Sequence, residues 1–189
     1  MSQSELLKKT VSFLNHAGIN YMLTGSLVSS MQGEPRSTHD IDIVVELSKT
    51  GTEALLKSFQ PPAYYIDLDP RETLSEVDMF NLIDVVNGDK IDFWMFTGNE
   101  FDRSRFARKQ TVMFENVPIQ ISAPEDTIIA KLNWSKMSGG SKKQLLDALR
   151  VFEMQFDLID QDYLHSWVKK MNLRKEWNEL QGMYQSSDF

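Results

Sequence analysis

The run from Asp40 to Leu47, DIDIVVEL, constrains this chain more than any other segment. It alternates between charged and apolar residues and then becomes continuously apolar, as does a strand in the middle of a sheet. Side chains alternate along a strand, so Asp40 and Asp42 share one face, about 7 Å apart along the backbone, while Ile41 and Ile43 face the core. Two carboxylates on one side of a buried strand repel each other and are costly to desolvate. The pattern therefore predicts a divalent cation, Mg²⁺ or Mn²⁺, at this position.

A second strand is predicted to carry a third carboxylate. The run KIDFWMF places Asp92 and Trp94 on the face opposite its apolar residues, and Asn87-Gly88 predicts a tight hairpin with the preceding run NLIDVV. Three carboxylates on neighbouring strands can hold two metal ions about 3.5 to 4 Å apart. Asp40, Asp42 and Asp92 are therefore the predicted metal-binding and catalytic residues of a phosphoryl-displacement centre.

A candidate phosphate-binding turn precedes these strands. Gly25-Ser26 lies between a strand, INYMLT, and a short helix, LVSSMQ, so backbone N–H groups at the start of the helix can point at an anion. Arg36 is either a phosphate clamp or a solvated loop arginine. Lys131, on a helix predicted to begin at Pro124, either adds positive charge near a triphosphate or extends its ammonium to solvent.

These motifs together resemble the nucleotidyltransferase superfamily, the group that includes polymerase beta. Gly25-Ser26 is followed by thirteen residues, then by Asp40-Ile41-Asp42-Ile43, and later by Asp92 between apolar residues. The wider run TGSLVSSMQGEPRSTHDIDIVVE resembles small bacterial members related to abortive-infection proteins and to the minimal nucleotidyltransferases of toxin-antitoxin systems. APEDTIIAKLNW resembles the helix that follows the sheet in that group. The resemblance spans roughly residues 20 to 135.

The resemblance implies a nucleoside triphosphate (NTP) donor and a divalent metal, with Asp40 and Asp42 as the metal-binding pair. It leaves the acceptor open, because members of the superfamily modify proteins, RNAs, sugars and antibiotics. The segment SKKQLLDAL stands where an Arg-x-Lys-Asp run is more common, so the resemblance assigns no role to Lys143 or Asp147.

The fold class predicted from the strand and helix pattern is α+β. A nucleotidyltransferase fold with a twisted mixed sheet and flanking helices would occupy residues 1–123, and a helical region packed on that core would occupy residues 124–189. The runs TVMF and VPIQIS predict a second hairpin, and Ser4 is the candidate cap of the first helix. Asp84 is interpreted as a solvated carboxylate.

Composition narrows the partners. The chain has no cysteine, which fits a reducing compartment, and no apolar run long enough for a membrane span, so the cytoplasm is the expected location. The net charge of −7 disfavours general nucleic-acid binding, although an RNA acceptor could use a local basic groove. The alternative to an enzyme is a catalytically silent interaction module, such as an antitoxin or a regulatory protein partner.

Overall fold

The computed structural model describes residues 2–68 and 77–187, which form two compact units. The first unit contains Met1–Thr24 and Thr38–Ile121, and the second contains Gly25–Ser37 and Ser122–Phe189. The helix Gly25–Gln32 therefore belongs to the same unit as the C-terminal helices. The division into a catalytic core and a helical region at residue 123 stays a prediction. The strands are β1 (Asn20–Thr24), β2 (Ile41–Glu46), β3 (Tyr64–Ile66), β4 (Met79–Asp84), β5 (Lys90–Met95), β6 (Gln110–Phe114) and β7 (Val117–Ile121). The helices are α1 (Gln3–His16), α2 (Gly25–Gln32), α3 (Lys49–Ser58), α4 (Glu100–Arg108), α5 (Pro124–Met137), α6 (Lys142–Gln155), α7 (Gln161–Lys170) and α8 (Arg174–Ser187), with a short 3-10 helix at Phe156–Leu158.

The strands of the first unit form one mixed sheet in the order β3-β4-β5-β2-β1-β7-β6. The β2/β5 and β1/β7 pairs are parallel, and the other neighbours are antiparallel. Both predicted hairpins are confirmed, since β4 pairs with β5 and β6 pairs with β7. The α+β class with a mixed sheet and flanking helices is therefore confirmed.

One face of the sheet forms the main core of this unit. Helix α1 contacts β1, β5 and β7 and buries the apolar side chains that recur at helical spacing, from Leu6 to Leu14. The inward residues of the central strands are fully buried, and the rings of Phe80 and Phe93 stack at 4.9 Å. This burial orients the alternate residues of the same strands to the opposite face, where the candidate site lies.

Two local interpretations of the sequence are wrong. The first helix is capped by Ser2, whose hydroxyl accepts from the backbone N–H of Glu5 while the Glu5 carboxylate accepts from the Ser2 N–H. That reciprocal capping box satisfies two donors, which Ser4 cannot do from inside the helix. Asp84 is buried, not solvated, and accepts from the backbone N–H groups of Val86 and Asn87 and from the Asn87 amide. It stabilises the hairpin turn.

The second unit is helical. Helix α5 begins at Pro124, as predicted, and packs against α2 and α6. Gly33, just after α2, approaches the backbone of α6 so closely that an added Cβ would lie 2.9 Å from the carbonyl carbon of Arg150. None of the helices in residues 2–68 and 77–187 has the length and apolar character needed to cross a bilayer.

Candidate active site

The candidate site adjoins a small apolar cluster on one face of the sheet. Met22, Val44 and Trp94 form a row across β1, β2 and β5, because Met22 is paired with Val44 and Val44 with Trp94. Phe106 of α4 packs on Met22 and Val44, and Trp94 packs against the same cluster. Trp94 therefore belongs to an apolar row of side chains that adjoins the row containing Asp42 and Asp92.

The next row on this face is polar. Thr24 is paired with Asp42, Asp42 with Asp92, and Asp92 with Asn81, so four neighbouring strands present these residues side by side. All four side chains are partly exposed, whereas the residues flanking Asp42 and Asp92 along their strands are buried. Because neighbouring strands lie about 4.8 Å apart, the two carboxylates can bind a common cation. The parallel register of β2 and β5 thus brings together Asp42 and Asp92, which are fifty positions apart in the chain.

Each of the two carboxylates has a defined hydrogen-bond donor. The indole N–H of Trp94 donates to Oδ1 of Asp42 at 3.1 Å. The Lys90 ammonium donates to both oxygens of Asp92 at 2.8 Å. This hydrogen bond raises the pKa of Lys90, against a smaller opposing effect of burial, and the charges of Asp92, Asp40 and Asp42 raise it further. The three predicted carboxylates therefore act on one ammonium group, a role of Lys90 that the sequence analysis missed.

Asp40 lies just outside the strand that carries Asp42. It is exposed, immediately precedes β2, and donates its backbone N–H to the hydroxyl of Thr38 at 3.3 Å. Continuing the β2/β5 register by one residue would oppose Asp40 to Lys90. Across residues 2–68 and 77–187, no three acidic or histidine side chains are placed to hold a metal ion together.

The donor set is nevertheless suited to a hard divalent cation. Asp42 and Asp92 supply carboxylate oxygens on one face of the sheet, and the side-chain oxygens of Thr24 and Asn81 flank them in the same row. Oxygen ligands of this kind are those that Mg²⁺ and Mn²⁺ take in proteins. Asp42 and Asp92 therefore fit such an ion as a pair of carboxylate ligands, and Asp40 lies on the segment immediately before β2.

The predicted phosphate-binding residues Ser26, Arg36 and Lys131 meet in the second unit, around Asp147. The Arg36 guanidinium donates to both oxygens of Asp147, at 3.0 and 2.8 Å, and Lys131 donates to Oδ2 at 2.8 Å. Both cations also donate to the Ser26 hydroxyl, at 3.1 and 3.3 Å. Gly25 has φ of 70°, the left-handed conformation that glycine adopts without strain, and helix α2 begins there.

Asp147 is the residue that holds this cluster together. Its side chain is 9% exposed, and that of Lys131 is 4% exposed. Burial by itself would raise the pKa of Asp147, but the hydrogen bonds and charges of Arg36 and Lys131 lower it. The signal in the sequence was an acidic residue within the apolar run LLDAL of an amphipathic helix, since a carboxylate there needs a cationic partner.

A cavity of about 240 Å³ adjoins the cluster within the same unit. Arg36 and Asp147 form part of its wall, together with the hydroxyls of Ser29 and Ser30 and the side chains of Glu34 and Arg150. The Glu34 carboxylate lies 3.0 Å from the Arg150 guanidinium. The cavity is therefore lined by charges of both signs.

Comparison with known proteins gives a clear result for structure and none for sequence. No family model matches the chain, and no curated protein matches it. The chain is similar to a nucleotidyltransferase-like protein from Paracoccidioides brasiliensis, with a TM-score of 0.62, 16% identity, and 97% of this chain and 92% of that chain covered. It is also similar to the antibiotic-resistance factor ANT(2'')-Ia, with a TM-score of 0.61, 10% identity, and 97% of each chain covered. The lincosamide antibiotic adenylyltransferase LnuA aligns with a TM-score of 0.54, 13% identity, and coverage of 78% of this chain and 95% of that chain. The chain therefore has the nucleotidyltransferase fold.

Proposed function

We propose that this chain transfers a nucleoside monophosphate from an NTP to a hydroxyl group of an acceptor, using Mg²⁺ or Mn²⁺ held by Asp40, Asp42 and Asp92. The observation that carries the proposal is the pairing of Asp42 with Asp92 on adjacent parallel strands. Clustered carboxylates there are costly for a structural role alone, whereas metal binding offsets their repulsion.

The reaction would proceed by in-line displacement. The acceptor oxygen forms a bond to the α-phosphorus, the bond from that phosphorus to the bridging oxygen breaks, and pyrophosphate leaves. A bound divalent ion would neutralise the charge that develops on the phosphate oxygens. Asp92 would orient the acceptor hydroxyl or take up its proton, and Asp42 would be held in place by the Trp94 indole. Catalysis of this kind depends on positioning and charge complementarity.

Phosphate binding is proposed for Gly25, Ser26, Arg36 and Lys131. Ser26, Arg36 and Lys131 place two cations and a hydroxyl around one carboxylate, so the cluster carries a net positive charge. The Arg36 side chain is one-third exposed, so its guanidinium charge is accessible to an anion. Gly25 and Ser26 would present the first N–H groups of α2 to the triphosphate.

The acceptor is proposed only as a class. ANT(2'')-Ia is described in complex with adenylyl-2''-tobramycin, and LnuA is described with lincomycin bound. Hydroxyl-bearing antibiotics are therefore the first small molecules to screen, followed by RNA and protein acceptors. We also propose that this chain acts in a toxin-antitoxin system, as the sequence resemblance implies.

The test is binding of each labelled NTP with and without Mg²⁺. We expect metal-dependent binding by the wild-type chain and its loss in an Asp40→Ala, Asp42→Ala double variant. The matched control removes two exposed carboxylates elsewhere, Glu53→Ala and Glu179→Ala, and is expected to bind as wild type does. No binding of any NTP to the folded wild-type chain would refute the proposal.

One observation favours a second candidate, a silent interaction module. The Lys90 ammonium already neutralises Asp92 through both carboxylate oxygens, so this ion pair compensates one acidic charge without metal. A silent module would show no NTP binding and no change in stability with Mg²⁺, which distinguishes the two candidates.

A further inference from the structure

Lys90 holds the carboxylate that is proposed to complete the metal site. Lys90 and Asp92 lie two residues apart on β5 and therefore share a face of the sheet. The Lys90 Nζ atom lies 2.8 Å from each oxygen of Asp92. The Lys90 side chain is 43% exposed, whereas that of Asp92 is only 13% exposed. The ammonium thus closes the solvent side of a carboxylate that is otherwise largely enclosed.

A metal ion that bound Asp92 would need the same oxygens. An ammonium and a divalent cation repel each other, so the two compete for one carboxylate. Because Lys90 belongs to the same strand as Asp92, its effective concentration at that carboxylate is fixed and does not change with the ion concentration of the solution. A metal ion at Asp92 would therefore bind against the charge of the Lys90 ammonium, which weakens the observed affinity for the metal.

We infer that Lys90 is a tethered counter-cation that competes with the divalent metal for Asp92. This inference rests on the proposed function, because it concerns the same carboxylates. It assigns Lys90 two consequences: it stabilises the metal-free sheet by offsetting the repulsion between Asp42 and Asp92, and it raises the metal concentration at which the site fills. Lys90 accordingly lowers the affinity of the site for the metal.

The experiment measures Mn²⁺ binding by electron paramagnetic resonance and isothermal calorimetry, without nucleotide. Lys90→Met and Lys90→Gln are expected to bind Mn²⁺ about fivefold more tightly than wild type, the upper end for loss of one partly exposed competing ion pair. Lys90→Arg keeps the charge and is expected to bind no more tightly than wild type. The matched control is Lys8→Met, because Lys8 forms a similar ion pair with Glu115 at 2.7 Å and its removal changes the net charge equally. We expect Lys8→Met to remain within about twofold of wild type.

A second readout is thermal stability with and without Mg²⁺. Lys90→Met is expected to lose stability in metal-free buffer and to gain more from Mg²⁺ than wild type does, because ligand that binds only the folded state stabilises it. If wild type binds Mn²⁺ and Asp42→Asn abolishes that binding, but the Lys90 variants bind no more tightly than Lys8→Met, the Lys90 inference is overturned and the proposed function stands. If no variant binds Mn²⁺, both are overturned.

Discussion

The ion-pair cluster around Asp147 offers the most direct test of how the second unit is stabilised. The perturbation is Asp147→Ala, which leaves the Lys131 ammonium buried without this carboxylate. Removing one partner of a buried ion pair typically costs about 3 to 5 kcal/mol. Arg36 is one-third exposed and can turn toward water, so we expect the lower end, about 3 kcal/mol. For a chain of this size, that loss lowers Tm by roughly 6 to 12 °C.

The assay is thermal and urea unfolding followed by circular dichroism at neutral pH. Glu179→Ala is the matched control, since it removes an exposed carboxylate from another helix of the same unit and should change stability by less than about 0.5 kcal/mol. A double-mutant cycle with Lys131→Met isolates the pair, and we expect the two losses to be strongly non-additive. Equal Tm values for Asp147→Ala and Glu179→Ala would refute the assignment of Asp147 as the centre of the cluster.

The pH dependence provides an independent check on the same residue. Because its cationic partners hold the pKa of Asp147 below the ordinary value of about 3.9, the carboxylate contributes stability that is fully present above that value. The contribution is lost as the pH falls through the lower pKa of the folded state. The stability difference between wild type and the neutral isostere Asp147→Asn should therefore be constant from about pH 5 to 7 and shrink below about pH 4. A difference that persists unchanged at pH 3 would contradict an ionic origin.

Further outcomes follow from single contacts. Gly33→Ala would place a Cβ 2.9 Å from the α6 backbone and should cost about 1 to 3 kcal/mol in urea unfolding. Gly182→Ala, in a helix with open space around its Cα, should instead stabilise by about 0.5 to 1 kcal/mol, and destabilisation there would contradict the packing. Asp84→Ala should cost about 1 to 3 kcal/mol because it removes a buried acceptor from the hairpin turn; a neutral result in the same assay would restore the solvated interpretation. Trp94→Phe keeps the ring but loses the donor to Asp42, so Mn²⁺ affinity should fall about tenfold with little change in unfolding; unchanged affinity would remove Trp94 from the site.

The sequence was sufficient wherever the determinant was local. The alternation of DIDIVVEL, the Asn87-Gly88 turn and Pro124 at a helix start each act over a few residues, and β2, the β4/β5 hairpin and α5 form where they were predicted. Interpretations from local patterns were wrong at two positions, where specific hydrogen bonds decided the structure. Ser2 caps α1 because it forms the reciprocal pair with Glu5, and Asp84 is buried because the turn supplies it with three donors.

The sequence by itself determined the chemistry of the candidate site, and only the tertiary structure decided the partners. Strand alternation was enough to place Asp42 and Asp92 on exposed faces of two strands, but their direct pairing depends on the parallel register of β2 and β5. Lys90 lies two residues from Asp92 on β5, so strand alternation could have indicated that pair, whereas the partners of Asp147 are distant in the chain. An ion pair is defined by distance in space, and Asp147 meets Arg36 across 111 positions of the chain, which no local periodicity encodes.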